Sequence, residues 1–212
     1  MAEKINVLIA DDHAIVRQGL KQILSETEDM IVSGEAEDGA DALNLARHAT
    51  WNVFLLDITM PNRNGIDTLK ALRKEFPRQP VLMLSMHPEE QYAVRAIQAG
   101  ASGYLTKQSA PEQLVTAIRQ VARGEKYISP TLATRLAEVV AGTERAPHET
   151  ITNREYQVLV LIASGRTLTQ IAEELNLTVA TVSTYRRRLL EKMGLKNTAE
   201  LIHYGLKHGL VE

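Results

Sequence analysis

The order of short apolar runs and helical segments is the feature that most constrains this fold. Five runs occupy roughly the first 124 residues, and segments with helical periodicity separate them. The runs are INVLIA (5–10), MIVSGEA (30–36), VFLL (53–56), PVLML (80–84) and GYL (103–105). Because each run is too short for a helix, the alternation predicts βα units and a parallel sheet. The central runs are apolar at consecutive positions, which is typical of strands covered on both faces.

The second half of the chain shows no strand pattern. TLATRLAEVVAG (131–142) predicts one helix that ends at Gly142, and the polar segment TERAPHET (143–150) predicts a linker. Thr152 and Glu155 have the spacing of a capping box, which predicts the start of a four-helix region. Its later helices are expected near Thr169–Leu175, Val179–Met193 and Thr198–His208. The predicted domains are 1–124, a linker with a helix at 125–147, and 148–212.

Composition excludes several classes of protein. The chain has no cysteine, so disulfides and thiolate metal sites are excluded. No apolar run is long enough to span a membrane, and the first residues lack the pattern of a secretion signal. We therefore expect a cytoplasmic protein with no membrane partner.

Polar side chains stand where four of the predicted strands end. Asp11 and Asp12 follow the first strand, Asp57 follows the third, Ser85 the fourth, and Lys107 comes within two residues of the fifth. A lone Asp at a strand end is more often a helix cap. The carboxyl ends of parallel strands meet at one edge of a sheet, however, so these five side chains should lie together.

Such a cluster has a specific chemistry. Three carboxylates in one cleft repel each other unless a cation joins them, and hard oxygen ligands favour Mg²⁺. A carboxylate such as Asp57 can also be a nucleophile that forms an aspartyl phosphate. Lys107 and the Ser85 hydroxyl could then contact phosphoryl oxygens. His13 is interpreted as a helix-start residue, because no second His lies at metal-ligand spacing.

The motifs IADDH, VFLLDITMP, LMLS and GYLTK resemble the receiver domains of two-component response regulators. The resemblance implies a flavodoxin-like, five-stranded parallel (βα)5 fold and a non-enzymatic regulator that only assists its own phosphorylation and dephosphorylation. It implies that a cognate sensor histidine kinase phosphorylates Asp57. It also implies Mg²⁺ held by Asp11, Asp12, Asp57 and the main-chain carbonyl of Thr59. Ser85, Tyr104 and Lys107 match the positions that sense the phosphate.

The segment from Val179 to Met193 has two distinct faces. On a helical wheel Val182 and Leu189 share one side, whereas Arg187 and Arg188 lie roughly opposite. From residue 148 onward, Lys and Arg barely outnumber Asp and Glu. Any DNA affinity must therefore come from the stripe of arginines on this segment.

Residues 151–211 resemble the LuxR-type domain of NarL/FixJ response regulators, an all-α, four-helix helix-turn-helix domain. The resemblance implies double-stranded promoter DNA as a partner, RNA polymerase as a further candidate, and a homodimer when phosphorylated or DNA-bound. The residues expected at DNA are Thr181, Ser183, Thr184, Tyr185, Arg187, Arg188 and Lys192. The residues expected at the dimer interface, on one of two apolar stripes of the last helix, are Leu201, Tyr204 and His208. Arg186 is expected to pair with an acid of the first helix of this domain, such as Glu155.

Three alternatives stay open at this stage. An aspartate-based phosphatase would carry a second Asp two residues after the nucleophile, where this chain has Thr59. A constitutive DNA-binding factor would not need the acid pair or Lys107. A phosphorylation-dependent protein-binding module would not need the outward Arg187 and Arg188.

Overall fold

The computed structural model describes residues 4–140 and 146–211. The chain divides into two compact units between Thr134 and Arg135. The domain boundaries expected from the sequence stay a prediction. Gly142, the expected helix end, and residues 143–145 of the expected linker lie outside the described residues.

The first unit contains a five-stranded, all-parallel sheet in the order β2-β1-β3-β4-β5. Each predicted strand is present, and the last three extend to include Asp57, Ser85 and Thr106. The strands are β1 (Ile5–Ala10), β2 (Met30–Ala36), β3 (Val53–Asp57), β4 (Val81–Ser85) and β5 (Gly103–Thr106). The predicted α/β fold is therefore confirmed.

Helices cover both faces of this sheet. They are α1 (Ala14–Ser25), α2 (Gly39–His48), α3 (Gly65–Glu75), α4 (Glu89–Gln98) and α5 (Pro111–Ala122). Leu24 of α1 and Ile118 of α5 join one core cluster with Val7, Leu55 and Leu82 from the strands. All residues of β3 and β4 are buried, as the continuous apolar runs predicted.

Side-chain hydrogen bonds cap the first turns of two helices in this unit. Asp38 accepts hydrogen bonds from the first amides of α2, and Asn64 accepts from Asp67 N at the start of α3. The Asn64 cap fixes where the loop after β3 ends.

The remaining helices are α6 (Pro130–Val140), α7 (Asn153–Ala163), α8 (Leu168–Glu174), α9 (Val179–Met193) and α10 (Thr198–Lys207). The predicted capping box at Thr152 and Glu155 is formed, and α9 ends as expected at Gly194, whose φ is 66°. α7 is buried along almost its whole length, so it is the central helix of the second unit. Among the described residues, no helix has the length and apolar character to cross a membrane.

Candidate functional site

The acidic site lies at the carboxyl ends of β1 and β3, where the strand order reverses direction. Asp57 is the last residue of β3, and Asp11 and Asp12 follow β1 directly. Open parallel sheets bind ligands at such a switch point. Asp11 and Asp57 are 1% and 2% exposed, whereas the Asp12 side chain is 32% exposed. The sheet thus brings two buried carboxylates and one accessible carboxylate together, as the sequence predicted.

Lys107 bridges the two buried carboxylates. Its Nζ lies 2.6 Å from Oδ2 of Asp11 and 3.0 Å from Oδ2 of Asp57. The main chain places it there, because Lys107 N donates to the carbonyl of Ser85 at 2.8 Å and so continues the pairing of β5 with β4. Burial would lower the pKa of Lys107, but Asp57 and Asp11 more than offset this and raise it. The ammonium is therefore held charged.

The pKa of Asp57 is raised to about 7, first by burial and further by the charges of Asp11 and Asp12, although Lys107 opposes the rise. One ammonium therefore does not balance three carboxylates. A divalent cation in the site would supply the missing positive charge and would favour the ionised form of Asp57.

The donor set fits a divalent cation. One ligand atom from each of Asp11, Asp12, His13 and Asp57 lies within 4.8 Å of all the others. The Oδ2 atoms of Asp11 and Asp57 contact the Lys107 ammonium, and a carboxylate oxygen has lone pairs enough to bind a cation as well. Thr59, the other expected ligand, is half-buried two residues after Asp57. Oxygen-rich sites of this kind suit Mg²⁺, Ca²⁺ or Mn²⁺.

Gly65 lets the loop after β3 close over the main chain of Asp57. Its amide donates to the carbonyl of Ile58 at 2.9 Å, and a Cβ at this position would lie 1.9 Å from the carbonyl oxygen of Asp57. Only glycine fits without displacing that backbone, so Gly65 is a structural requirement of the site that the motifs did not reveal.

Ser85 and Tyr104 hold the loop between β4 and α4 through one residue, His87. The Ser85 Oγ accepts a hydrogen bond from His87 N at 3.0 Å, and the Tyr104 hydroxyl donates to His87 O at 2.9 Å. The Tyr104 ring is buried, with 3% of its surface exposed. The expected sensing residues Ser85 and Tyr104 are thus connected through the same loop, and Lys107 lies on the neighbouring strand end.

Arg17 is a buried residue at this site that the sequence reasoning missed. Its Nη1 donates to the carbonyl of Asp11 at 2.7 Å, and its Nη2 bonds to Glu37 at 2.8 Å. Arg17 stands three residues before Leu20 and seven before Leu24, on the apolar stripe of α1. The sequence did contain a signal for this role, because Arg17 is a charged residue at a core position of α1.

In the second unit, α8 and α9 form the expected pair of helices around a tight turn, where Asn176 has a φ of 51°. Val182 and Leu189 are buried, and Arg187 and Arg188 are exposed, as the helical wheel predicted, and Met193 is buried at the end of the helix. The other expected DNA contacts within the first half of α9 are half-buried, namely Thr181, Ser183, Thr184 and Tyr185. One face of α9 therefore packs in the unit and presents its arginines on the other side.

Lys192, one helical turn after Arg188, makes a contact that the sequence reasoning assigned to Arg186. The Lys192 Nζ is 2.8 Å from both carboxylate oxygens of Glu155, whose own surface is buried. Nε of Arg186 is buried and has no hydrogen-bond partner among the described residues. The expected pairing of Arg186 with Glu155 is wrong, because Lys192 comes from the end of α9 that faces the start of α7. A DNA contact by Lys192 stays a prediction.

The apolar stripe of α10 that packs inward begins at Leu201, which was expected at the dimer interface. Leu201 is fully buried, and Gly205 packs so closely on α7 that a Cβ there would lie 2.4 Å from Cβ of Ala163. Leu201 is therefore not available to a partner copy, whereas Leu206 is 51% exposed. Tyr204 is half-buried, and its hydroxyl lies 2.8 Å from Nδ1 of His148, while the exposed His208 ring stacks on Tyr204.

Comparison with known proteins decides the family. Residues 7–119 match the model of the response regulator receiver domain, and residues 149–205 match that of bacterial regulatory proteins of the luxR family. The chain belongs to the NarL/FixJ class of response regulators.

Other members of the class are similar over nearly their whole length. Response regulator UvrY of Escherichia coli is 35% identical over 97% of this chain and 95% of its own, and response regulator GacA of Pseudomonas aeruginosa is 36% identical over 98% of both. RcsB of Salmonella enterica serovar Typhimurium, solved with the promoter rprA and the phosphomimetic BeF3⁻, is 28% identical, with a TM-score of 0.63 over 95% of this chain and 98% of that one. This NarL/FixJ regulator therefore combines a receiver with a LuxR-type DNA-binding domain and is a transcription regulator.

Proposed function

We propose that this regulator accepts a phosphoryl group from a sensor histidine kinase on Asp57, and that phosphorylation controls dimerisation and promoter binding by the C-terminal domain. The observation that carries the proposal is the bridge from Lys107 to Asp11 and Asp57. It combines a buried nucleophile, a fixed cation and metal ligands at one sheet edge, which are the parts that phosphoryl transfer requires.

The chemistry follows from these side chains. An ionised oxygen of Asp57 attacks phosphorus while the bond to the donor nitrogen breaks, and the imidazole of the kinase keeps that electron pair. The Lys107 ammonium and the Ser85 hydroxyl are close enough to the strand ends to hold phosphoryl oxygens. Mg²⁺ bound by Asp11, Asp12, Asp57 and the Thr59 carbonyl would supply charge neutralisation. Water that attacks phosphorus between Thr59 and His87 would break the bond to Asp57, release inorganic phosphate and restore the carboxylate.

The loop between β4 and α4 is the element that can respond. A phosphoryl group adds up to about two negative charges beside Ser85. One of its oxygens can accept a hydrogen bond from the Ser85 hydroxyl, and turning that hydroxyl disturbs the 3.0 Å bond that Oγ now accepts from His87 N. Tyr104 holds the same residue through its carbonyl, so a move of Ser85 changes the position of both. The surface of α4 and β5 changes with them.

For the output we propose that α9 enters the major groove of promoter DNA, with Arg187 and Arg188 as its exposed cations. Paired half-sites would require two copies, which Tyr204, His208 and the exposed side of α10 could join. RNA polymerase in the cytoplasm is a further candidate partner. RcsB is similar to this chain, and its solved complexes with DNA support this assignment.

A gel shift on a library of promoter fragments tests the proposal, with and without acetyl phosphate and Mg²⁺. We expect tighter binding after phosphorylation and none of this increase in Asp57→Asn. Binding that ignores the phosphodonor would instead identify a constitutive factor, and a complete lack of DNA binding would identify a protein-binding module.

A further inference from the structure

His13 occupies a position whose side chain has no structural task in the helix it begins. It is the N-cap residue of α1, yet its side chain makes no capping hydrogen bond. Its ring turns toward the acid pair instead, with Nδ1 lying 2.8 Å from Oδ1 of Asp12 and 3.3 Å from Oδ1 of Asp11. The imidazole is 63% exposed, so burial does not force this orientation.

These separations match those of neighbouring ligands around one metal ion. Ligands at right angles on bonds of about 2.1 Å lie about 3 Å apart in an octahedral site. Nδ1 of His13 and the nearest oxygens of Asp11 and Asp12 have this spacing, and an oxygen of Asp57 completes the group within 4.8 Å. Lys107 contacts Oδ2 of both Asp11 and Asp57, but its single positive charge leaves the three carboxylates with an excess of negative charge that a cation would balance.

We propose that His13 is a nitrogen ligand of the acidic site, which makes the site favour a first-row transition cation over Mg²⁺ more strongly than its carboxylates alone would. This inference rests on the proposed cation site beside Asp57. Carboxylates and water suit Mg²⁺, whereas imidazole binds Ni²⁺ or Zn²⁺ far better. A set of three carboxylates and one imidazole therefore binds Mg²⁺ as well as Ni²⁺ or Zn²⁺, but the imidazole increases the affinity for Ni²⁺ or Zn²⁺ more than the affinity for Mg²⁺.

The test compares Ni²⁺ and Mg²⁺ affinities by calorimetry in the full chain, in a His148→Asn, His208→Asn background. This background removes two rings whose centroids lie 5.7 Å apart and could bind Ni²⁺ themselves. We expect His13→Asn to weaken Ni²⁺ binding at least tenfold and Mg²⁺ binding much less. His13→Asp, which restores an oxygen ligand, should recover Mg²⁺ binding and leave Ni²⁺ binding weak. His203→Asn, at an exposed position on α10, is the matched control and should change neither affinity.

Pulsed EPR of bound Mn²⁺ provides a direct readout. The unaltered site should show coupling to a ligand nitrogen that changes when the histidines carry ¹⁵N and disappears in His13→Asn. Equal losses for Ni²⁺ and Mg²⁺ in His13→Asn, or no loss for either, would overturn the inference, as would an EPR signal without nitrogen coupling. Acetyl phosphate labelling of the unaltered chain with Mg²⁺ tests the proposed function separately, because it does not depend on which ion the site prefers.

Discussion

Nζ of Lys107 lies 3.0 Å from Oδ2 of Asp57, so a buried ammonium meets a buried carboxylate at the end of β3. Even with this partner the pKa of Asp57 is raised to about 7, with burial as the main cause. Each unit of such a shift corresponds to about 1.4 kcal/mol of folding free energy.

The first prediction concerns the stability of Asp57→Asn without metal. A raised carboxyl pKa gives stability that is fully present below pH 3.8 and is lost as the pH rises to about 7. Asp57→Asn should therefore be more stable than the parent at pH 8, by a few kcal/mol, and nearly equal to it at pH 4. Urea unfolding in EDTA measures this, because the single tryptophan, Trp51, reports on the first unit. A pH-independent difference would contradict the prediction, and Asp41→Asn on the exposed surface of α2 is the control.

The second prediction concerns Gly65. Gly65→Ala would bring a Cβ to 1.9 Å from the carbonyl oxygen of Asp57, so the loop must move. We expect a loss of about 2 to 4 kcal/mol in unfolding free energy, together with weaker Mg²⁺ binding. Gly19→Ala is the matched control, because Gly19 is exposed within α1 and has no neighbour within 4 Å. It should be neutral or stabilise by up to about 1 kcal/mol. Equal effects of the two substitutions would contradict the close approach.

The third prediction concerns the contact between Lys192 and Glu155. Burial alone would raise the pKa of Glu155, but Lys192 and Thr152 lower it overall. A lowered pKa gives stability that is present above pH 4.5 and is lost at more acidic pH. Lys192→Met should therefore cost about 1 to 3 kcal/mol at pH 7 and less near pH 3. Hydrogen exchange of α7 in the full chain measures this, and Lys196→Met at an exposed position is the control. Unchanged protection of α7 at pH 7 would show that the ion pair adds nothing.

The fourth prediction concerns the exposed arginines of α9. Arg187→Ala and Arg188→Ala should weaken DNA binding, and each lost phosphate contact should reduce the salt slope by about 1. Arg166→Ala removes the same charge from an exposed position outside α9 and should change affinity little. Filter binding across a range of salt concentrations measures the slope. Equal losses for all three variants would mean that total charge, and not the α9 face, determines affinity.

The strand ends could be predicted from sequence for a simple reason. Parallel strands must finish at one edge, so the polar residues at the ends of β1, β3 and β4, namely Asp11, Asp57 and Ser85, had to meet once the strands were located. Residue types then indicated the chemistry. The positions of Asp11, Asp57 and Lys107 required no knowledge of loops or side-chain conformations.

The incorrect predictions arose where one sequence pattern allowed more than one packing arrangement. α10 has two apolar stripes, and hydrophobic periodicity does not say which one faces inward. Gly205 determined the outcome, since only glycine allows α10 to approach Ala163 so closely. Glu155 likewise had two cations within reach, and the end of α9 brought Lys192 to it.

Phosphoryl transfer to Asp57 is the most direct test of the account. The full chain is incubated with acetyl phosphate and Mg²⁺, and the modified residue is located by mass spectrometry of its peptides. We predict one phosphoryl group, carried by Asp57, that is absent in Asp57→Asn and in EDTA. Uptake by Asp57→Asn as fast as by the parent, or a phosphoryl group located elsewhere on the chain, would contradict the account.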